Sequence, residues 1–169
     1  MQNRQDEREN RDMDVADTFG FLLGAWRVSR SIEDRLAGMT GSFEGAALLV
    51  VPPEWQARGV WARYDETGTL QFGGHSGPAS RTLGYMRRHD GTVAVFFPDG
   101  RPYLDLDLRT GSCQQDHPCR DDLYRLEFTV RSLDEFEERW EVRGPAKNYQ
   151  AITTLTREPP DPPGLTKPQ

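Results

Sequence analysis

Short segments in which apolar and polar residues alternate run through most of the 169-residue chain, and turn signals separate them. Alternation with a period of two is typical of a β-strand that buries one face. The clearest example is Tyr103–Leu108, where leucines alternate with aspartates. The pattern predicts ten strands: Trp26–Ile32, Phe43–Val51, 60–65, 69–73, 79–88, 92–97, Tyr103–Leu108, Tyr124–Val130, Phe136–Val142 and Tyr149–Arg157.

The connections between these segments look like hairpins. Glu66-Thr67-Gly68 and His89-Asp90-Gly91 are predicted to be tight turns, and residues 109–121 are predicted to be a loop. Consecutive short strands with no strong helical pattern between them indicate a sandwich or a closed barrel. We favour an all-β, up-and-down antiparallel barrel of about 8–10 strands, because Gly45 and Gly84 can bend strands at barrel corners.

The two ends of the chain differ from its middle. Residues 1–17 begin with a highly charged stretch, which is predicted to be a disordered tail or, alternatively, a lid over the barrel mouth. Helical spacing of apolar residues predicts a short N-terminal helix over residues 15–22. The Pro-rich residues 158–169 are predicted to be disordered, which leaves residues 18–157 for a single barrel domain.

Charge and hydropathy exclude several classes of partner. The net charge is −6, whereas a nucleic-acid partner selects a basic face, so no nucleic acid is expected. No apolar run approaches the ~20 residues of a membrane span, and the N-terminus lacks the apolar region of a secretory signal. We therefore expect a cytoplasmic protein with no membrane partner, in which Cys113 and Cys119 are free thiols.

Several motifs resemble those of lipocalin-like proteins. Gly24-Ala25-Trp26 in the first strand, with Arg157 closing the last, resembles the lipocalin and calycin pattern. In that superfamily an arginine stacks on the first-strand tryptophan and caps open backbone carbonyls. Longer stretches together resemble a bacterial lipocalin-like domain family of unknown function: Leu23–Arg27, Ile32–Asp34, Asp99–Pro102, Asp105–Leu108, His117–Cys119, Asp122–Tyr124 and Trp140–Tyr149.

The resemblance covers roughly residues 19–157 and implies a calycin-type barrel without an established activity. One departure is Leu104, a position that is often a histidine in that family, so any polar chemistry placed there is absent or altered in this chain. The indole of Trp26 is interpreted as a plug at the closed end of the barrel. Function is therefore expected toward the opposite end.

Arg30 is the cation whose position is most informative. It lies between Val28 and Ile32 on the apolar face of the first strand, so its guanidinium is expected inside the barrel. An unpaired charge there is costly. Arg30 would therefore face a polar ligand or, alternatively, pair with Glu44 or lie at the wet open end.

Two other strands leave the orientation of their polar face open. Arg81, Tyr85 and Arg87 share one face and would either line a cavity around an anionic or enolic oxygen or form a solvated surface. Asp105 and Asp107 could serve as paired carboxylates for acid–base work or a hard metal. The leucine alternation favours water-facing positions for both aspartates.

His117, Asp122 and Tyr124 form the best polar cluster and are the candidate catalytic residues. A histidine that titrates near neutral pH could orient a ligand or shuttle a proton there. The same three residues could instead hold the preceding loop by hydrogen bonds. Trp140 and Tyr149 complete the ligand-binding candidates, together with Arg30, Arg81 and Tyr85.

Metal and haem sites are the weaker alternatives. Cys113, His117 and Cys119 are of zinc-ligand type, but their spacing matches no common zinc motif. A haem-binding barrel would use an axial histidine, for which His75 and His117 are the candidates. We expect neither a metal nor a cofactor.

The leading hypothesis is a barrel that binds one small, largely apolar ligand with an oxygenated end. The alternative is a cofactor-independent isomerase or cyclase, similar to the barrel pericyclases of biosynthetic pathways, which would act by positioning a flexible substrate. Haem binding is the third possibility. The expected partner is a small molecule, and a homodimer is left open.

Overall fold

The computed structural model describes residues 13–56 and 60–159, so most of the predicted N-terminal tail or lid and the end of the predicted C-terminal tail lie outside the described residues. One short helix, α1 (Thr18–Leu22), precedes the strands. A single turn of 3-10 helix, Pro53–Trp55, follows the second strand. The ten strands are β1 (Gly24–Asp34), β2 (Met39–Val50), β3 (Trp61–Phe72), β4 (His75–Arg87), β5 (Val93–Phe96), β6 (Pro102–Leu106), β7 (Ser112–Cys119), β8 (Asp122–Ser132), β9 (Glu135–Gly144) and β10 (Lys147–Arg157).

All ten strands belong to one antiparallel sheet in the order β6-β5-β4-β3-β2-β1-β10-β9-β8-β7. The sheet curls into a nearly closed barrel, which confirms the predicted up-and-down architecture. The edge strands β6 and β7 meet without a backbone ladder. We call this junction the seam. There the Gln115 side-chain amide accepts a hydrogen bond from the Asp105 N–H at 3.1 Å and donates one to the Asp105 carbonyl, so a side chain replaces strand pairing.

The prediction of a turn at Glu66-Thr67-Gly68 is wrong, because β3 runs straight through these residues. Gly68 lies opposite Gly45 on β2, and a Cβ on Gly68 would come within 2.3 Å of the Glu44 carbonyl oxygen. The glycine therefore permits close contact between two strands. The real turn is Gly73-Gly74, where both residues have positive φ.

The prediction of a loop over residues 109–121 is also wrong, because β7 occupies residues 112–119. This strand pairs only with β8 and forms an edge of the sheet. Its residues are mostly polar and include Pro118, which an edge strand tolerates because one side needs no donors. One predicted strand too many at β3 and one too few here leave the predicted total of ten unchanged.

The closed end is organised around Trp26, whose side chain is buried. Its indole N–H donates to the Leu22 carbonyl at 2.9 Å, and Phe136 packs edge-on against its ring. The Arg157 guanidinium lies 4.2 Å from the Trp26 ring centre and donates to the carbonyls of Leu23 and Phe21. The helix α1 covers this end and starts at residue 18, later than predicted, because Asp17 is its N-cap.

The topology separates this plug from an open end. β1 starts at the plug and ends at Asp34, which pairs with Tyr149 near the start of β10. The turns that follow β1, β3, β5, β7 and β9 therefore lie together at the open end. No helix among the described residues is long and apolar enough to span a membrane.

Candidate functional site

A cavity of about 460 Å³ opens at the end of the barrel opposite Trp26. We call it the mouth cavity. It lies beside the seam, because residues from both edge strands line it. Its lining is mainly aromatic and apolar: Phe97, Pro102, Tyr103, His117, Cys119, Tyr124, Leu126, Trp140, Tyr149 and Ala151. This size and composition are typical of a site for a small organic molecule.

The rim of the mouth cavity brings together two of the three candidate catalytic residues. His117 and Tyr124 face each other across the β7–β8 pair, and both line the cavity. Asp122 does not line it. Instead its carboxylate pairs with Lys147 at 2.9 Å, and the same ammonium donates to the Tyr124 hydroxyl at 2.9 Å. The hydrogen bonds to Tyr124 and Asp122 raise the pKa of Lys147, so it stays charged and holds the two residues together.

Tyr103 and Trp140 form the floor of the mouth cavity. Their rings stack with centroids 5.6 Å apart and an angle of 19° between planes, and the Phe97 ring contacts Tyr103 with centroids 4.5 Å apart. The Trp140 indole N–H donates to Glu138 Oε1 at 2.5 Å. The predicted candidate Trp140 therefore joins the aromatic cavity to a charged group beneath it.

Below this floor lies a cluster of two buried glutamates and two partly buried arginines, which we call the charged cluster: Arg30, Glu66, Arg81 and Glu138. Arg30 makes a two-pronged pair with the Glu66 carboxylate, with N–O distances of 3.1 and 3.0 Å. The Arg30 Nε donates to Thr153, 2.8 Å away. Arg30 thus lies inside as predicted, but its partner is Glu66, whereas Glu44 accepts a hydrogen bond from Ser29.

Glu66 is the centre of the charged cluster and is only 3% exposed. Besides Arg30, its carboxylate accepts hydrogen bonds from the Tyr64 hydroxyl at 2.7 Å and from Arg81 at 3.3 Å. Burial alone would raise the pKa of Glu66, but the charge of Arg81 and the hydrogen bonds from Arg30 outweigh it and lower that pKa. Glu66 is therefore an anion in the barrel interior.

Arg81 lies between the two carboxylates, 3.3 Å from Glu66 and 3.8 Å from Glu138. Its Nε is buried and has no hydrogen-bond partner. Arg81 and Tyr85 line a small chamber of about 20 Å³ below the floor, together with Tyr103. Burial, followed by the nearby Glu138 charge, raises the pKa of Tyr85, so its hydroxyl remains a neutral donor. Arg81 and Tyr85 therefore point inward, which the sequence left open.

The remaining polar candidates lie elsewhere. Arg87 lies at the closed end, where its exposed side chain stacks on Phe19 and pairs with Asp17 at 2.6 Å. Asp105 and Asp107 face solvent, where Arg88 and Arg109 bind them. This agrees with the interpretation that the leucine alternation favours.

No metal-binding group is present within residues 13–56 and 60–159, where no three His, Cys, Asp or Glu side chains are placed to hold an ion. Cys113, His117 and Cys119 therefore do not converge as metal ligands. Of the two haem candidates, only His117 lines the mouth cavity. His75 lies at a wider polar depression of about 590 Å³ around the β3–β4 turn, where Phe72 supplies the apolar wall among the described residues.

Three important residues were not recognised from the sequence. Glu66 was assigned to a turn. Glu138 shares the inward parity of Phe136 and Trp140, so the alternation of β9 contained the signal that places it inside. Tyr103 is the extra residue at a bulge, where the partners of Val95 and Phe96 are Leu104 and Pro102. A bulge turns a side chain away from the face that alternation assigns to it.

Comparisons with known proteins identify a family and similar barrels. A model of a family of unknown function, DUF6314, matches residues 22–157. None of the curated proteins matches the chain. The S-type phycobiliprotein lyase CPES from Guillardia theta is 11% identical with a TM-score of 0.48, over 94% of this chain and 99% of that chain. A redesigned β-barrel, mFAP0, bound to DFHBI is 16% identical with a TM-score of 0.42, over 81% of this chain and 99% of that chain.

Proposed function

The chain belongs to DUF6314, a family of unknown function, and we propose that its barrel binds one small, largely apolar molecule through an oxygenated end. The mouth cavity is the observation that carries this proposal. Its aromatic wall suits a flat apolar body, whereas its polar groups are few and lie at defined positions. The contact between Arg157 and Trp26 at the other end supports a lipocalin-type barrel.

The proposal requires a ligand that bridges two chemical environments. Tyr149 and His117 lie near the rim, and Tyr103 and Trp140 form the floor above the charged cluster. Burial raises the pKa of Tyr103, so its hydroxyl can donate to a ligand oxygen without ionising. Burial of the apolar body would contribute about 25 cal/mol per Å² of apolar surface removed from water.

Replacing one of two alanines by tryptophan tests the site. Ala151 lines the mouth cavity, whereas Ala46 is exposed on the outside of β2. Ala151→Trp should fill the cavity and weaken binding of the apolar dye N-phenyl-1-naphthylamine at least tenfold, measured by its fluorescence. Ala46→Trp should leave the dissociation constant unchanged. Equal dye affinity in both variants, with native near-UV circular dichroism, would contradict the proposal.

A second role is favoured by one observation. Tyr103 lies where its protonated hydroxyl can meet a ligand oxygen above the Arg81–Glu138 pair. Donors held in place around an oxygen stabilise negative charge that develops there, as in cofactor-independent isomerisation or cyclisation. Native mass spectrometry would identify a co-purified molecule. Its conversion to a product of equal mass by the wild-type protein, but not by Tyr103→Phe, would support catalysis, and conversion by neither would contradict it.

A further inference from the structure

The charged cluster contains one hydrogen-bond donor that the protein does not use. Arg81 Nε is buried and has no partner, although the other end of the same guanidinium approaches Glu66 and Glu138. A buried donor without an acceptor loses its hydration and gains nothing in return. Arg81 Nε therefore lacks an acceptor, and an oxygen atom is the acceptor that a small organic ligand can supply.

The surroundings of Arg81 define which oxygen fits. Two arginines face two glutamates in the charged cluster, so the formal charges cancel. An additional carboxylate would bring an uncompensated negative charge into the barrel interior, which is costly. The chamber that Arg81 lines has a volume of about 20 Å³, enough for roughly one water-sized group. Both the charge and the space fit a single uncharged oxygen.

The chamber lies next to the mouth cavity. Tyr103 lines both spaces, and Trp140 on the cavity side donates to Glu138 on the chamber side. Tyr103 is therefore a side chain that a ligand oxygen would have to pass to enter the chamber. The apolar remainder of such a ligand would stay in the mouth cavity.

We infer that the ligand is an uncharged carbonyl compound whose oxygen accepts a hydrogen bond from Arg81 Nε. This inference rests on the proposed function and specifies the ligand class for the same site. Ketones and quinones with a flat apolar body have the required chemistry. Tyr85 lines the same chamber and supplies a second, neutral donor.

Two probes that differ only at one position test the inference on the full-length protein. 9-Fluorenone carries a carbonyl group where fluorene carries a methylene group, and competition against the naphthylamine dye gives both dissociation constants. The variant is Arg81→Lys, because lysine has a methylene at the chain position of Nε and keeps a positive charge one atom further on. The control is Arg63→Lys, an exposed arginine on β3 that pairs with Asp65.

The ratio of the fluorene to the fluorenone dissociation constant should fall about 10- to 100-fold in Arg81→Lys, as expected for a hydrogen bond to a charged group. The ratio should not change in Arg63→Lys. The infrared carbonyl band of bound fluorenone should also lie at lower wavenumber in the wild type than in an apolar solvent. That second measurement needs no variant, so an unshifted band would overturn the inference even if Arg81→Lys does not fold.

Three results would overturn the inference. They are an unchanged ratio in Arg81→Lys, a carbonyl band at the position seen in an apolar solvent, and tighter wild-type binding of fluorene-9-carboxylate than of fluorenone. In each of these cases the probes still bind, so the proposed function stands. Failure of every probe to bind would instead contradict the proposed function.

Discussion

Glu66 offers the sharpest test of the charged cluster, because one substitution removes its charge without changing its shape. In the wild type, Arg30, Tyr64 and Arg81 donate hydrogen bonds to the two carboxylate oxygens of Glu66. In Glu66→Gln only one amide oxygen remains to accept them. The new amide N–H groups would also face the Arg30 guanidinium. Leaving a buried charge without its partner costs about 3–5 kcal/mol. For a domain of this size that corresponds to a melting temperature lower by about 10–15 °C.

Urea unfolding monitored by circular dichroism measures this loss, and two variants serve as comparisons. Glu44→Gln changes an exposed glutamate on the outside of β2, and its free energy of unfolding should stay within about 0.5 kcal/mol of the wild type. The double variant Arg30→Met/Glu66→Met removes both partners of the Arg30–Glu66 pair and should be more stable than Glu66→Gln. A loss below about 1 kcal/mol in Glu66→Gln would refute the reasoning, because it would mean that water already solvates the cluster.

The pH dependence of the same variant follows from the lowered pKa of Glu66. A carboxyl whose folded pKa lies below its unfolded value, about 4.3, stabilises the fold at higher pH. That stabilisation is lost as the pH falls through the folded pKa. The difference in unfolding free energy between wild type and Glu66→Gln should therefore be constant near neutral pH and shrink below about pH 4.5. A difference that persists unchanged to pH 3 would contradict this assignment.

Three further predictions concern the frame of the barrel. Gln115→Leu should destabilise the protein by about 0.5–1.5 kcal/mol and speed hydrogen exchange of the Asp105 amide, because both backbone groups at the seam exchange their partner for water. Arg157→Ala should lower the urea midpoint by an amount equivalent to about 2–3 kcal/mol, because it removes hydrogen bonds to three backbone carbonyls and a cation–π contact. Gly45→Ala should cost at least about 2 kcal/mol, since its Cβ would lie 2.2 Å from a backbone oxygen of β3, whereas Gly77→Ala meets no atom within 4 Å and should be nearly neutral.

Local alternation predicted the barrel well where each strand has one buried face and one wet face. β1 follows this rule. The contact between Arg157 and Trp26 was predicted from the lipocalin resemblance and not from alternation, and the structure confirms it. The rule failed at Gly68, because the sequence alone does not distinguish a glycine that lets two strands approach closely from a glycine in a turn. It failed again in β7, because an edge strand with Pro118 has too few apolar residues to show a period.

Part of the candidate site was predictable from the sequence. The residues that were not predicted are in contact with residues distant in sequence. The alternation along β1 predicted that Arg30 points into the barrel, and the alternation along β4 allowed the same for Arg81. His117 was predicted to lie near the mouth. The partner Glu66 is 36 residues from Arg30 along the chain, and only the pairing of β1, β2 and β3 brings the two together. A charged residue in a strand pattern is ambiguous until its neighbour on the next strand is known.

The charged cluster itself is an argument for binding. A buried set of ion pairs contributes little net stability compared with apolar side chains of the same volume, and an unpaired Arg81 Nε makes the set worse. Stability alone therefore does not explain why it lies in the interior. The location of the cluster suggests the explanation, because it lies directly below the Tyr103–Trp140 floor of an apolar cavity. A ligand oxygen that accepts a hydrogen bond from Arg81 Nε would offset that cost only in the bound state, so the unpaired donor would favour ligands that carry such an oxygen.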